Sequence, residues 1–378
     1  MKKVAEVLRS LSASPQEIAE RTRIPLERLQ AILGGQSPTL AELRSLSRSL
    51  RLPMRVFGTG RTSEAPSDLG VLFRTSIPKE RQHDASLEQI SGFVEAALQL
   101  LPKRDGIPDW LKTFSAQEET YQEADRLASL FRHSFMPDQL NEPATGLPTL
   151  IENLGSVVIS QLRHSRYEGA SVIIGGYCFV FVSPRFAARM LFTLAHELGH
   201  LIAHRSNDPL AVFDQASQVG GLRRSTKAEM FVNAFASVLL LPDQGVARAL
   251  QKFRQFYGVS SDSLGDVEIL LLARYFGVSF DVAARRCEDL ELLPTGGAVS
   301  LAQTLRKEFG SPEKRADSLG LPQRLPIALP KVSANLFAAA LTQIEKGSVS
   351  TGWVADRLNL SVEELFAARR ELALGIRD

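Results

Sequence analysis

The stretch "LFTLAHELGHLIAHR" runs from Leu191 to Arg205 and holds three of the chain's six histidines within nine residues. His196 and His200 stand four apart, so on a helix their imidazoles leave one face about one turn, roughly 5–6 Å, from each other. That spacing lets both bind one metal ion, while Glu197, about 100° further round, reaches a water held beside the ion without ligating it. A zinc ion in such a site needs a third protein ligand and keeps its fourth position for water, whose pKa it lowers towards ~7. Glu197 is then the group placed to take the water's proton during attack on a peptide carbonyl and to pass it to the leaving amine. His204 extends the row, but about 12 Å along the axis from His196 it is too far away to share the ion. A third histidine six residues after His200 would mark a metzincin, and that position is Ser206. The flanks are apolar nearly all round, which predicts a buried helix whose polar groups need partners.

The third ligand is sought in "TKAEMFVNAFASVLLLP", an apolar helix expected from about Lys227 to Leu241. Glu229 and Asn233 share one face near its start, so Glu229 is a candidate ligand and Asn233 a candidate acceptor for the Nδ1–H of a ligating histidine. A competing reading exists: Thr226 and Glu229 also have the spacing of a helix capping box, in which the carboxylate would turn back to the Thr226 amide.

Working outward, "GSVVIS" (155–160), "GASVII" (169–174) and "YCFVFVS" (177–183) are short, β-branched or aromatic and bounded by turn signals, so three strands of a small sheet are expected. The last of them, just before the metal helix, offers an edge to which an extended peptide could add. Tyr167, Tyr177, Arg185 and Tyr257 are the residues nearest in sequence that could stabilise an oxyanion. "ASLEQISGFVEAALQLL" and "EETYQEADRLASLFRHSF" read as amphipathic helices, and helices continue to the end of the chain.

The 378 residues exceed one ordinary domain, and 44% apolar with 23% charged residues is a globular composition. The longest apolar run, Val172 to Val182, is too short to cross a bilayer, so no membrane association is expected. Two distant cysteines, Cys178 and Cys287, suit a reducing cytoplasm. The first 62 residues carry eleven Lys/Arg against five Asp/Glu, an excess that suits an anionic partner or a solvated surface. Within them Ala19, Ile24 and Leu29 have the offsets of a helix-turn-helix, a register that recurs at Ala273, Gly277, Val278 and Ala283 and at Ala355, Asn359, Leu360 and Leu365. The turn tends to need positive φ, which Gly277 and Asn359 adopt more cheaply than Arg23, so the downstream copies fit the turn better. For those two, plain packing hairpins are the favoured reading.

"FTLAHELGHLIAHR", followed by "AEMFVNAFASVLLLP" and preceded by "EGASVIIGGYCFVFVS", resembles the ImmA/IrrE family of zinc metallopeptidases over roughly residues 123–242. The resemblance implies zinc held by His196, His200 and Glu229, with Glu197 as acid/base. Phe231 and Val232 stand where the family often shows an acidic residue and Ala. The N-terminal segment resembles an XRE-type (Cro/C1-like) helix-turn-helix, implying DNA contact from residues 14–52 through Glu27, Arg28 and Gln30. "LGVLFR" (69–74) resembles a stretch found between such domains, and the C-terminal "GSVSTGWVADRLNLSVEELFAARREL" resembles tails found on these peptidases.

The expected fold class is thus α+β and mostly helical. An XRE-like bundle spans 1–58, a linker and helical connector 59–115, a zinc metallopeptidase with a small sheet 116–245, a helical region 246–300 and a helical tail 301–378. The resemblance implies a cytoplasmic regulatory endopeptidase that cleaves a protein such as a DNA-binding repressor, relieving repression in a stress or mobile-element response. The alternatives are an XRE-type transcriptional regulator whose zinc domain is a sensor or scaffold, and a component of a toxin–antitoxin module. XRE-type readers usually bind as dimers, so a homodimer belongs with either picture.

Overall fold

The computed structural model describes residues 4–5, 8, 14–36, 38–49, 85–104, 106–163, 165–203, 210–215, 219–220, 226–261 and 263–375. They fall into two units, Met1–Ser67 and Asp68–Asp378. The linker expected around Gly58–Pro66, the stretch Leu69–Arg74, His204 and Ser206 lie outside the described residues.

In the first unit, helices α1 (Pro15–Thr22), α2 (Leu26–Leu33) and α3 (Leu40–Ser49) enclose Ile18, Ile24, Leu29, Ile32 and Leu46. Ser14 and Glu17 form a reciprocal capping box at the start of α1, and Pro15 follows at the first helical position, where no amide hydrogen is needed. Arg23, in the turn, corrects the expectation drawn from its side chain: its φ is 54°, in the same left-handed region as Gly277 (74°) and Asn359 (56°). That conformation costs a residue with a β-carbon about 1–2 kcal/mol. Burial of Ile18 and Leu29 on either side of the turn, worth about 1.5–3 kcal/mol each, outweighs it.

The second unit is built on a four-stranded sheet: β1 (Val157–Gln161), β2 (Tyr167–Ile174), β3 (Tyr177–Val182) and β4 (Leu210–Gln215), in the order β1-β3-β2-β4. β1 runs parallel to β3, and the other pairs are antiparallel. Gly175 and Gly176, both at positive φ, close the β2–β3 hairpin, as a two-residue turn of matching twist requires. Two sequence expectations change here. β3 is interior, with β1 on one edge and β2 on the other, so it has no edge to lend to a peptide. A fourth strand, β4, covers the outer edge of β2.

The period of two along each strand divides the side chains between two cores. Val157, Ile159, Cys178, Val180 and Val182 face helices α6 (Tyr121–Phe135), α8 (Ala187–Ala203), α9 (Lys227–Leu240), α11 (Asp266–Phe276) and α12 (Phe280–Asp289). Val158, Phe179 and Phe181 face α4 (Ala85–Leu100), α15 (Ala334–Glu345) and α16 (Thr351–Arg357). The remaining helices are α5 (Asp109–Thr113), α7 (Leu147–Asn153), α10 (Asp243–Tyr257), α13 (Gly297–Phe309), α14 (Pro312–Ser318) and α17 (Val362–Gly375). The chain is therefore mostly helical around a small mixed sheet. The regions after residue 245 share its two cores: Ala273, Val278 and Ala283 at one hairpin, and Ala355 and Leu365 at the other, are buried. No single described helix is long and apolar enough to cross a membrane.

α8 is buried from Leu191 to Ile202 and lies between the sheet and α9. The close crossing depends on Gly199, where a β-carbon would stand 3.1 Å from Val232 Cβ and 3.3 Å from Val232 Cα. Backbone on the far side leaves nothing that can yield. The C-terminal end of α9 is tied down by two buried guanidiniums. Arg132 donates to the carbonyls of Leu140 (2.7 Å), Leu239 (2.5 Å), Gln139 (2.5 Å) and Glu142 (2.6 Å), and Arg286 to that of Leu241 (2.9 Å). Burial lowers the Arg132 pKa to about 10, so it remains charged at neutral pH. Arg132→Met would strand those carbonyls, and a loss of about 3 kcal/mol is expected in urea unfolding. A loss below ~1 kcal/mol would mean that water or other donors replace the guanidinium.

Candidate metal centre

Because α8 is buried on all sides, its polar pair cannot face solvent: His196 and His200 are almost wholly inaccessible, and their Nε2 atoms lie 3.2 Å apart. Asn233, on α9, settles the tautomer of the first. Its Oδ1 accepts the Gly220 N–H at 2.9 Å, which identifies that atom as the oxygen, and the same atom lies 3.1 Å from His196 Nδ1. Nδ1 therefore carries the proton, and Nε2 turns a lone pair towards His200.

Two carboxylates converge on the same point. Glu229, at the start of α9, approaches His196 Nε2 to 3.6 Å and His200 Nε2 to 3.7 Å. Half of the capping arrangement is present, since Thr226 Oγ1 accepts the Glu229 N–H at 3.2 Å, but the Glu229 carboxylate reaches the histidines instead of turning back. The second carboxylate is Asp214 of β4, whose Oδ2 lies 3.0 Å from His200 Nε2 and 3.5 Å from His196 Nε2. One donor atom from each of the four residues falls within 4.8 Å of all the others.

The separations test whether a metal ion fits. Ligands about 2.0–2.2 Å from a tetrahedral zinc ion stand ~3.3–3.6 Å from one another. The five distances above, 3.0 to 3.7 Å, scatter around that edge length. Both oxygens of Asp214 and Oε2 of Glu229 are buried without a hydrogen-bond partner, a costly state that a cation relieves. The donor set of imidazole and carboxylate suits zinc among the divalent ions of the first transition row.

Glu197 leaves α8 on the side of the sheet. Its carboxylate accepts the Ser171 hydroxyl of β2 and packs over Gly169, where a β-carbon would fall 2.8 Å from both Glu197 Cδ and Thr193 Cγ2. Glycine at 169 is thus what lets the carboxylate lie flat against β2. Burial first, and then the charge of Asp214, push the Glu197 pKa well above the usual carboxylate range. Glu229 is raised to about 7 by burial and by Asp214. For Asp214 burial acts upward too, but the two histidines beside it outweigh it and hold its pKa below the usual range.

These shifts give the metal-free protein a pH signature. Glu197 and Glu229 both have folded pKa values above their unfolded ones; the contribution of Glu229 is fully present below about pH 4.5 and is lost as pH rises through about 7, and Glu197 acts in the same sense. Asp214 acts in the opposite sense only below pH 4. Glu229 alone accounts for ~3 kcal/mol on this basis. The chelator-treated protein is expected to melt lower at pH 8 than at pH 5, with one equivalent of zinc reversing the order. A Tm that rises across this interval without metal would contradict the assignment.

The tyrosines and arginine considered for an oxyanion are otherwise engaged or lie elsewhere. Tyr177 donates its hydroxyl to the Pro102 carbonyl, Arg185 holds Ser183 Oγ, the Tyr167 carbonyl and Glu168, and Tyr167 packs against Phe213. Tyr257 ends α10 and is partly exposed. In the first unit Glu27 and Gln30 are exposed on α2, while Arg28 makes a two-pronged ion pair with Glu42 of α3 and a bond to Gln36. That guanidinium, with the Thr39 backbone, lowers the Glu42 pKa to about 2.

Asp214 is the one member of the cluster that sequence reasoning missed. "LAVFDQ" is a short apolar run with β-branched and aromatic members, the signal used for the other three strands, and alternation along it puts Asp214 on the same face as Leu210 and Val212. Beside Asn233, a cavity of about 600 Å³ is bordered by Phe192, Gly220, Met230, Arg285 and Asp289, room enough for a substrate side chain.

Residues 152–288 match the model of the Peptidase_M78 family, described as the IrrE N-terminal-like domain. The matched span contains all four clustered residues and Glu197, which supports a metallopeptidase of the IrrE kind for this part of the chain. No curated protein sequence matches the chain.

Proposed function

We propose that the second unit is a zinc-dependent endopeptidase that acts inside the cell on a specific protein, such as a DNA-binding repressor, and so relieves repression in a stress or mobile-element response. The observation that carries this reading is the convergence of His196, His200 and Glu229 on one point, with Glu197 buried alongside. His196, held in one tautomer by Asn233, His200 and Glu229 would hold the ion, which when bound supplies Lewis-acid polarisation. Glu197 takes the proton of the attacking water and delivers it to the leaving amine, and Ser171 orients its carboxylate meanwhile. Cys178 and Cys287 are both buried and not joined in a disulfide, as suits a reducing compartment.

The test is a comparison, by mass spectrometry, of new protein N-termini in cells expressing either the native chain or Glu197→Gln. One or a few termini present only with the native chain would identify a selective protease and its substrate. None, under several stresses, would favour a second reading that one observation already supports. The cluster contains four protein groups, and closed sets of four are typical of structural sites. On that reading the protein is a transcriptional regulator with a metal scaffold, and the first unit should bind duplex DNA with an affinity that falls steeply with salt. A flat salt response would leave that unit a protein-docking module, in keeping with an Arg28 side chain already engaged by Glu42.

A further inference from the structure

β2 is the strand nearest the acid/base: Gly169 and Ser171 form the wall against which Glu197 rests. One edge of β2 pairs with β3, so the other is the place where an extended peptide can add as a strand beside the cluster. The chain's own β4 occupies that edge, antiparallel, with Ala170 opposite Phe213, Ser171 opposite Val212 and Val172 opposite Ala211. The register stays regular through Asp214 opposite Gly169 and slips by a residue only beyond it, where Gln215 comes opposite Tyr167. Asp214 faces α8, nine-tenths or more buried, with neither oxygen hydrogen-bonded and Oδ2 3.0 Å from His200 Nε2. Phe213, on the opposite face, packs on Tyr167 with ring centroids 5.6 Å apart.

We propose that the outer edge of β2 is the binding edge for an extended polypeptide, and that β4 fills it as a built-in plug whose Asp214 is the fourth protein ligand of the metal. This inference rests on the peptidase reading for its choice of ligand. The physical ground is the count of donors. His196, His200 and Glu229 sit on two long helices packed together across Gly199, and they complete the three-residue set that leaves a position for water. Asp214 takes that remaining position from β4, the last strand of the sheet among the described residues. Departure of β4 would at once vacate the fourth position, free the β2 edge and remove the charge beside Glu197.

The experiment loads the full chain with Co²⁺, whose visible bands report its ligands, and titrates acetohydroxamate into the native protein, Asp214→Asn and Asp214→Ala. All three should bind one equivalent of Co²⁺. The native spectrum should resist the hydroxamate, whereas both variants should take it up with an affinity about tenfold or more higher. Native protein that binds the probe as tightly as the variants would overturn the plug, as would variants that no longer hold the metal. A measurement on the native chain alone covers the case in which the variants do not fold. Adding one equivalent of zinc should slow amide hydrogen exchange across Leu210–Gln215, and unchanged exchange there would exclude Asp214 as a ligand. Neither readout requires cleavage, so failure of the plug is told apart from failure of the peptidase reading, which the comparison of new protein N-termini tests.

Discussion

Glu197→Gln is expected to leave zinc content unchanged and to reduce cleavage of the identified substrate by on the order of 10²–10⁴-fold, the usual contribution of a general base. The amide has the shape of the carboxylate, so its oxygen can still accept the Ser171 hydroxyl and lie over Gly169. It carries no charge, and since burial and Asp214 already push Glu197 towards its protonated form, the fold should lose nothing and the metal-free protein should gain stability. Zinc analysis and turnover on the peptide named by the N-terminal comparison check both halves. Retained turnover would remove Glu197 from the chemistry, and lost zinc would make it a ligand.

Glu229→Ala is expected to weaken zinc binding by at least the 10–100-fold that loss of an outer-sphere partner alone produces. The loss should exceed that in Asp214→Ala. Glu229 projects from a helix whose N-terminus is capped by Thr226 and whose far end is held by Arg132 and Arg286, so its carboxylate is presented at little entropic cost. Asp214 is presented by an edge strand. Competition with a chromophoric chelator measures both variants. Unchanged affinity in Glu229→Ala would return this residue to helix capping, a role whose removal costs about 0.3–1 kcal/mol and leaves the metal alone.

Much of the second unit was legible in the chain because its signals are local. A run that is apolar on every face can only be a core helix, so "LFTLAHELGHLIAH" declares both its burial and the histidine spacing. The three strands between residues 155 and 183 declare themselves by β-branched and aromatic runs between turn signals. In the first unit the apolar plugs Ile24 and Leu29 were equally plain, but the left-handed turn at Arg23 was not, because packing on both sides overrode the residue's own preference.

By itself, then, the sequence determined a mostly helical α+β chain, the buried helix carrying His196, Glu197 and His200, and the pairing of Glu229 with Asn233 on one face of a second helix. Each is a matter of spacing along a single element. Which strand edge lies beside Glu197, that β3 has no edge to offer, and that Asp214 reaches the histidines come from the packing of the whole unit. These are contacts between segments far apart in the chain, set by strand order and register, and no periodicity within "LAVFDQ" specifies the partner it will find.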